Sequence, residues 1–329
     1  MNEPLAPSSA PKLIVVVPCY NEEEMIPVSR RLFADELSRL IEAGQASPES
    51  RVLYVDDGSR DGTWRIIRET AAADPRAIGI RQSRNRGHQC AMWAGLMEAL
   101  SLGCDVTITI DCDGQDDVNA MSAMLAEHAK GADVVYGVRN DRTTDTFFKR
   151  FTAESFYRFQ AAMGVEAVYN HADYRLLSAR ALAALAQYRE VNLYLRGLVP
   201  LIGFKSAKVF YARGQRLAGQ GHFGLFRMLA FASDGITSLT IRPIRFVLVA
   251  GLFLAFAGLM ALLALAIARL AGAAPAGTAF LAALVACVGG LNLVGTGIVG
   301  EYAGKSYLEA KNRPRTIVSD RTWDAPSGK

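Results

Sequence analysis

Asp111 and Asp113, one residue apart, follow directly on the apolar run Val106 to Ile110. Two carboxylates at that spacing can face one divalent cation while a strand holds them still, and oxygen ligands of this kind suit Mg²⁺ or Mn²⁺. Gln115, two residues further on, offers another oxygen. A cation held there would neutralise a diphosphate and stabilise it as a leaving group. An Asp-x-Asp pair alone is more often a solvated turn; its place at the end of a buried run favours the ligand reading. Two more polar clusters stand upstream, Pro18-Cys19-Tyr20-Asn21-Glu22 and Asp56-Asp57-Gly58-Ser59. Each has a plainer alternative. Asp-Asp-Gly-Ser is a good turn with a helix cap to offer, and Glu22, Glu23 and Glu24 suit the first turn of a helix.

The elements that would position these clusters are legible. Leu13 to Val17, Val52 to Val55 and Val106 to Ile110 are short Val- and Ile-rich runs that end abruptly in polar residues, with helical patterns between them. Continuous apolarity points to parallel strands covered on both faces, and ligands of such sheets gather at the carboxyl ends of the strands. The three clusters are therefore expected on one edge of a mainly parallel α/β sheet.

The last third differs in kind. Phe246 to Ala268 holds no charged residue, and after Arg269 a second uncharged run reaches Gly300. Each is long enough to cross about 30 Å of hydrocarbon as a helix. Spans over about 246–268 and 279–300 are expected, joined by the Gly272 to Thr278 turn, against the alternative of two buried helices of a soluble core. Arg242 and Arg245 before the first span and Lys305, Lys311, Arg313 and Arg315 after the second place both termini and the large N-terminal domain on the cytoplasmic side. Residues 145–163 interleave Phe147, Phe148, Phe151, Phe156 and Phe159 with Lys149, Arg150 and Arg158, as an interfacial helix would, or a helix packed on the domain core. The domain reading is a disordered N-terminus over 1–11, a catalytic domain over 12–222, a juxtamembrane amphipathic helix over 223–243, a two-helix hairpin over 244–302 and a cytoplasmic tail over 303–329. The tail past Ser319 reads as disordered.

Met1 to Lys12 has no apolar core and is not a secretory signal. Five cysteines without CxxC spacing suit a reducing compartment and read as small apolar fillers. The net charge of +4 fits membrane-proximal Lys and Arg better than a nucleic-acid partner.

Val15 to Glu23, Val55 to Thr63, Ser83 to Gln89 and Asp111 to Asp116 together resemble family 2 glycosyltransferases of the dolichol-phosphate mannosyltransferase type. Val135 to Arg139, Asp173 to Leu176, Arg196 to Val199, Asp234 to Ser238, Gly300 to Tyr302 and Lys311 to Pro314 are similar to the bacterial polyprenyl-phosphate glucosyltransferase branch, which has the same two C-terminal spans. The likeness runs from about Lys12 to Val318.

The resemblance implies a GT-A fold and an inverting transfer of a hexose from a nucleotide sugar, glucose from UDP-glucose first, to undecaprenyl or another polyprenyl phosphate in the inner membrane. It places Pro18, Tyr20, Asn21, Glu22, Asp56, Asp57, Asn85 and Gly87 around the nucleotide sugar, and Asp113 and Gln115 on the metal with Asp111 beside them. It gives Arg139, Arg150 and Arg216 to the donor and acceptor phosphates, for which a planar guanidinium is suited, and Asp173 to sugar hydroxyls. It also implies a tetramer or another homo-oligomer. One departure is visible: where relatives have Arg-x-x-Gly-x-Ser-Lys, this chain reads Arg216 to His222, so His222 replaces a permanent cation in the expected acceptor-phosphate site.

Other readings stay open. N-acetylglucosaminyl-, galactosyl- or mannosyltransfer would share every motif. A processive polysaccharide synthase would need a Gln-x-x-Arg-Trp motif, and Trp64, Trp93 and Trp323 stand outside one. A non-catalytic scaffold would have no use for Asp111, Asp113 and Gln115 together.

Overall fold

The computed structural model describes residues 10–140, 171–191, 193–214 and 278–324, with scattered positions between 244 and 271. The chain divides into two compact units, one of Met1–Tyr157, Glu166–Gly224 and Pro314–Lys329, the other of Arg158–Val165 and Leu225–Arg313.

The first unit is a mixed α/β layer structure. In chain order it contains β1 (Leu13–Cys19), α1 (Ile26–Glu42), β2 (Arg51–Asp56), α2 (Thr63–Ala73), β3 (Ala77–Gln82), α3 (His88–Ser101), β4 (Val106–Thr109), α4 (Ala120–Ala129), β5 (Val134–Arg139), β6 (His171–Ser178), α5 (Ala179–Leu185), α6 (Leu195–Leu201), β7 (Ser206–Tyr211) and β8 (Val318–Arg321). The sheet order is β7-β5-β6-β4-β1-β2-β3-β8. β4, β1, β2 and β3 run parallel, β6 is antiparallel to both β4 and β5, and β8 is antiparallel to β3.

The three apolar runs are thus strands, as their composition requires. All seven residues of β1 are buried, because helices cover both faces of the parallel core. α1 buries Ile26, Ser29, Phe33, Glu36, Leu37 and Leu40, the three-and-four spacing of a helix face, with Pro27 in its first turn. α3 lies so close on β1 and β2 that a Cβ on Gly95 would come within 2.3 Å of Val16 Cγ1, so only glycine permits the approach. Cys19, Cys104 and Cys112 are buried free thiols and Cys90 is half-buried, as small core fillers are.

The tail corrects one expectation. The described residues past Ser319, Asp320 to Asp324, are ordered: Arg81 pairs with Asp320 and Ile80 with Arg321, and Arg321 grips Glu98 of α3 through two contacts of 2.7 and 3.0 Å. An open strand edge supplies unpaired N–H and C=O groups that a polar four-residue segment can satisfy without any hydrophobic pattern of its own.

In the second unit the principal element is α7 (Thr278–Ala310), 33 residues long. Most of the first expected span, 246–268, and both expected amphipathic helices, 145–163 and 223–243, lie outside the described residues, as do several side chains near the start of α7. Among the described residues no helix is long and apolar enough to cross a membrane.

Candidate active site

The parallel register brings the three polar clusters to one edge. Cys19 lies opposite Asp56 across β1 and β2, and Val16 lies opposite Thr109 across β1 and β4, so the residues following each strand emerge side by side. The first two clusters are then laced together. Asn21 adopts a left-handed backbone (φ 53°), donates its N–H to Ser59 Oγ at 2.9 Å and accepts from the Arg60 N–H at 3.0 Å. The Glu22 N–H donates to Thr63 Oγ1 at 2.8 Å. The three glutamates precede α1 and none stands in its first turn; Glu23 instead accepts the Gly62 N–H at 2.7 Å, at the start of α2. Pro18 is buried and Tyr20 exposed at the same edge.

Asp56 and Asp57 are both buried, and burial raises the pKa of each. Asp56 forms the expected turn, accepting from the Ser59 N–H at 2.9 Å, and its other oxygen lies 3.2 Å from Arg81 Nε. Asp57 organises the next loop: Oδ1 accepts from Gln82 Nε2 and the Arg86 N–H, each at 2.9 Å, and Oδ2 from the Gly87 N–H at 2.8 Å. Gly58 makes this possible. Its φ is +66°, and a Cβ there would stand 2.5 Å from the Arg84 carbonyl carbon. The 83–87 loop, with exposed Asn85, is thereby fixed beside the acidic strand ends.

His88, the first residue of α3, joins the next two acids. Its Nε2 lies 3.5 Å from Asp111 Oδ1 and 3.6 Å from Asp173 Oδ2. Burial disfavours the imidazolium, but Asp173 and Asp111 outweigh it and raise the pKa to about 9, so the ring is a cation at neutral pH. Asp173, on β6, receives Arg196 of α6 in a two-pronged contact, Nε to Oδ1 and Nη2 to Oδ2, both 3.0 Å. Burial raises its pKa, yet Arg196 and His88 prevail and hold it well below the usual carboxylate range. Asp111 is pushed the other way, first by burial, with the nearby Asp173, Asp116 and Asp113 carboxylates adding to it.

Asp113 Oδ1 accepts the Gln115 N–H at 3.1 Å, so the segment after β4 folds into a compact turn. The Gln115 Oε1 accepts from Arg213, and the Gln115 carbonyl accepts the Gly214 N–H at 2.8 Å. Arg139, at the end of β5, donates to Asp116 Oδ1 at 2.9 Å, and that oxygen also accepts from Tyr211 Oη at 2.7 Å. Arg150, Arg216 and His222 lie outside the described residues.

Could these residues hold a divalent cation? Among the described residues no group of three or more His, Cys, Asp or Glu side chains could do so alone. Mg²⁺ commonly needs only one or two carboxylates and completes its shell with water and substrate phosphate. Asp111 and Asp113 offer hard carboxylate oxygens from one turn, and the Gln115 amide oxygen, which accepts from Arg213, would join them by turning from that partner. The donor set fits.

His88, Arg196 and Asp116 had drawn no role in the sequence, although each lies inside a motif that had been singled out. Their signal is a charged or imidazole side chain within a short motif, and nothing in the motif says which acid it meets.

Fold and site together define a glycosyltransferase. The chain belongs to family 2 of that class: the family model described as glycosyl transferase family 2 matches residues 14–185. It is 43% identical over 310 residues to the uncharacterized glycosyltransferase YkoT of Bacillus subtilis (strain 168), covering 94% of this chain and 92% of that one. It is 34% identical over 310 residues to the SfII prophage-derived bactoprenol glucosyl transferase of Shigella flexneri, covering 93% and 97%. Among solved structures, glucosyl-3-phosphoglycerate synthase from Mycobacterium tuberculosis in complex with Mn²⁺, uridine-diphosphate-glucose and phosphoglyceric acid matches with a TM-score of 0.45 at 16% identity, over 70% of this chain and 78% of that one.

Proposed function

We propose that the protein transfers glucose from UDP-glucose to undecaprenyl phosphate at the cytoplasmic face of the inner membrane, with inversion at the anomeric carbon. The observation that carries the catalytic part is the meeting of Asp111, His88 and Asp173 on the edge where the nucleotide-binding clusters emerge. The Shigella relative, named a bactoprenol glucosyl transferase and similar over nearly the whole chain, supports the sugar and the lipid.

Asp111, Asp113 and Gln115 would hold Mg²⁺ or Mn²⁺, which when bound supplies charge neutralisation to the departing diphosphate. The acceptor is a phosphate monoester with a second pKa of about 6, so at neutral pH it is mostly a dianion and needs no general base. Its oxygen forms the new bond to the anomeric carbon from the face opposite the nucleotide. The bond to UDP breaks and UDP leaves with the electron pair. The protein's work is then positioning and charge placement. Asp173, fixed by Arg196, would hold sugar hydroxyls. Pro18, Tyr20, Asn21, Glu22, Asp56, Asp57, Asn85 and Gly87 would surround the nucleotide sugar. Arg139, Arg150, Arg216 and His222 serve the phosphates.

The membrane part rests on the two uncharged runs and on their flanking Lys and Arg. α7 adds support, since Leu284, Val285, Leu291, Leu293 and Val294 are exposed on it, apolar surface that water disfavours and lipid accepts.

The test is a donor panel given to the purified full chain with Mn²⁺ and undecaprenyl phosphate, the glycolipid being read by mass. A hexose adduct formed from UDP-glucose alone bears the proposal out. An adduct only from another nucleotide sugar replaces the donor, and no adduct from any donor overturns the reading.

A further inference from the structure

The 83–87 loop is held from two sides. On its inner side Asp57 accepts the Arg86 and Gly87 N–H groups at 2.9 and 2.8 Å. On its outer side stands the C-terminal segment. The Ser83 N–H donates to the Ile317 carbonyl at 2.9 Å, and the Arg86 side chain reaches two successive carbonyls of the tail, Nε to Arg315 and Nη2 to Pro314, both at 3.0 Å. The tail is in turn anchored at several points. The Arg315 guanidinium lies 4.2 Å over the Trp93 ring of α3 and donates to the Tyr188 carbonyl. β8 pairs with β3, Arg321 grips Glu98, and Thr322 exchanges two bonds with Gly79, its N–H to the Gly79 carbonyl at 2.9 Å and the Gly79 N–H to its Oγ1 at 3.0 Å.

We propose that residues 314–322 are a strap that positions the 83–88 segment of the active site, with Arg86 and Arg315 as its positioning residues. The physical reason is the loop's exposure. Ser83, Arg84 and Asn85 are exposed and carry no apolar side chain into the core, so burial does not fix the loop. Hydrogen bonds must do so, and a loop held on its inner side alone, by Asp57 and its close approach to Gly58, could pivot about them. The guanidinium of Arg86 removes the freedom because its rigid fork spans two carbonyls at once. What the strap fixes is consequential. The next residue is His88, whose ring sits between Asp111 and Asp173, so a shift of the loop moves the imidazolium relative to both acids. The role in turnover rests on the function proposed above; the role in fixing the loop does not.

The experiment therefore has two readouts on the full chain, on Arg315→Ala, on Arg86→Lys and on a chain ending at Arg313. Hydrogen exchange at the Arg86 and Gly87 amides reports the loop directly. Loss of the outer contacts should accelerate it at least about tenfold in each variant while β1 and β4 amides keep their protection. The KM for UDP-glucose should rise by a similar factor, about tenfold, with unfolding midpoints of the point variants unchanged. A synthetic peptide spanning 314–324 should restore both readouts to the truncated chain. If the truncated chain does not fold, Arg86→Lys decides, since it keeps the charge and loses only the fork. Unchanged exchange in Arg86→Lys and Arg315→Ala overturns the strap. Faster exchange in a protein whose unmodified form makes no glycolipid leaves the strap standing and overturns the function instead.

Discussion

Arg196 meets Asp173 with both prongs of its guanidinium, Nε to Oδ1 and Nη2 to Oδ2 at 3.0 Å each, across 23 residues of sequence and between α6 and β6. The carboxylate is buried, and Arg196 and His88 together keep it charged. Removing one member of a buried ion pair typically costs about 3–5 kcal/mol when the other is left uncompensated, and here His88 still faces Asp173. Arg196→Ala should therefore lower stability by less than that and reduce turnover. Arg196→Lys should recover part of the stability and little of the rate, since an ammonium cannot hold both oxygens in a plane. Denaturant unfolding and kcat on the same preparations check it; a stable, active Arg196→Ala would remove Asp173 from the site.

The same pair sets a pH dependence. Asp173 is depressed in the folded protein, so its contribution to stability is fully present above the unfolded carboxylate pKa of about 3.9 and is lost as pH falls through the lower folded value. Asp173→Asn should be less stable than the parent at pH 7. The gap should narrow as pH drops below about 4, where the parent loses what the variant never had. Unfolding midpoints from pH 3 to 7 measure this, and a gap that is constant with pH contradicts it.

Asp113→Asn and Gln115→Ala should each reduce kcat by at least about a hundredfold, because a catalytic cation supplies several kcal/mol of charge stabilisation and both variants weaken its hold. The loss should be largest at limiting Mn²⁺ and should shrink as Mn²⁺ is raised. Turnover against Mn²⁺ concentration is the measurement, and unchanged rates in both variants at limiting metal would falsify the ligand assignment.

Gly58→Ala places a Cβ 2.5 Å from the Arg84 carbonyl carbon on a backbone at φ +66°. The left-handed conformation alone costs a non-glycine residue about 1–2 kcal/mol, and the backbone contact adds to that. The variant should unfold at lower denaturant and bind UDP with Mn²⁺ more weakly, because the 83–87 loop must move away from Asp57. An unaltered midpoint and UDP affinity would mean that the loop does not depend on this approach.

Single cysteines at Gly277 and Ser319, in a background with the native cysteines replaced, should react with impermeant maleimide from opposite sides of the membrane. Labelling of both positions from one side would eliminate the hairpin and the cytoplasmic placement of the catalytic domain with it.

The sequence by itself determined the layered sheet and the family. A run such as Leu13 to Val17 is short, rich in Val and apolar at every position, as a strand covered on both faces is, and its abrupt end in polar residues marks the expected ligand edge without any knowledge of what lies beside it. The motif strings are local, and locality is what a sequence records. What only the tertiary structure decided is who meets whom at that edge. His88 begins a helix, Asp173 lies on an antiparallel strand inserted between β4 and β5, and Arg196 belongs to a short helix further on; their convergence depends on sheet order, which no spacing encodes. The tail is the plainest case. Val318-Ser319-Asp320-Arg321 has no alternation and little apolarity, and it is a strand because β3 leaves an edge open and Glu98 and Gly79 stand ready to hold it. Its structure is a property of the surface it meets, so it became legible only once that surface was built.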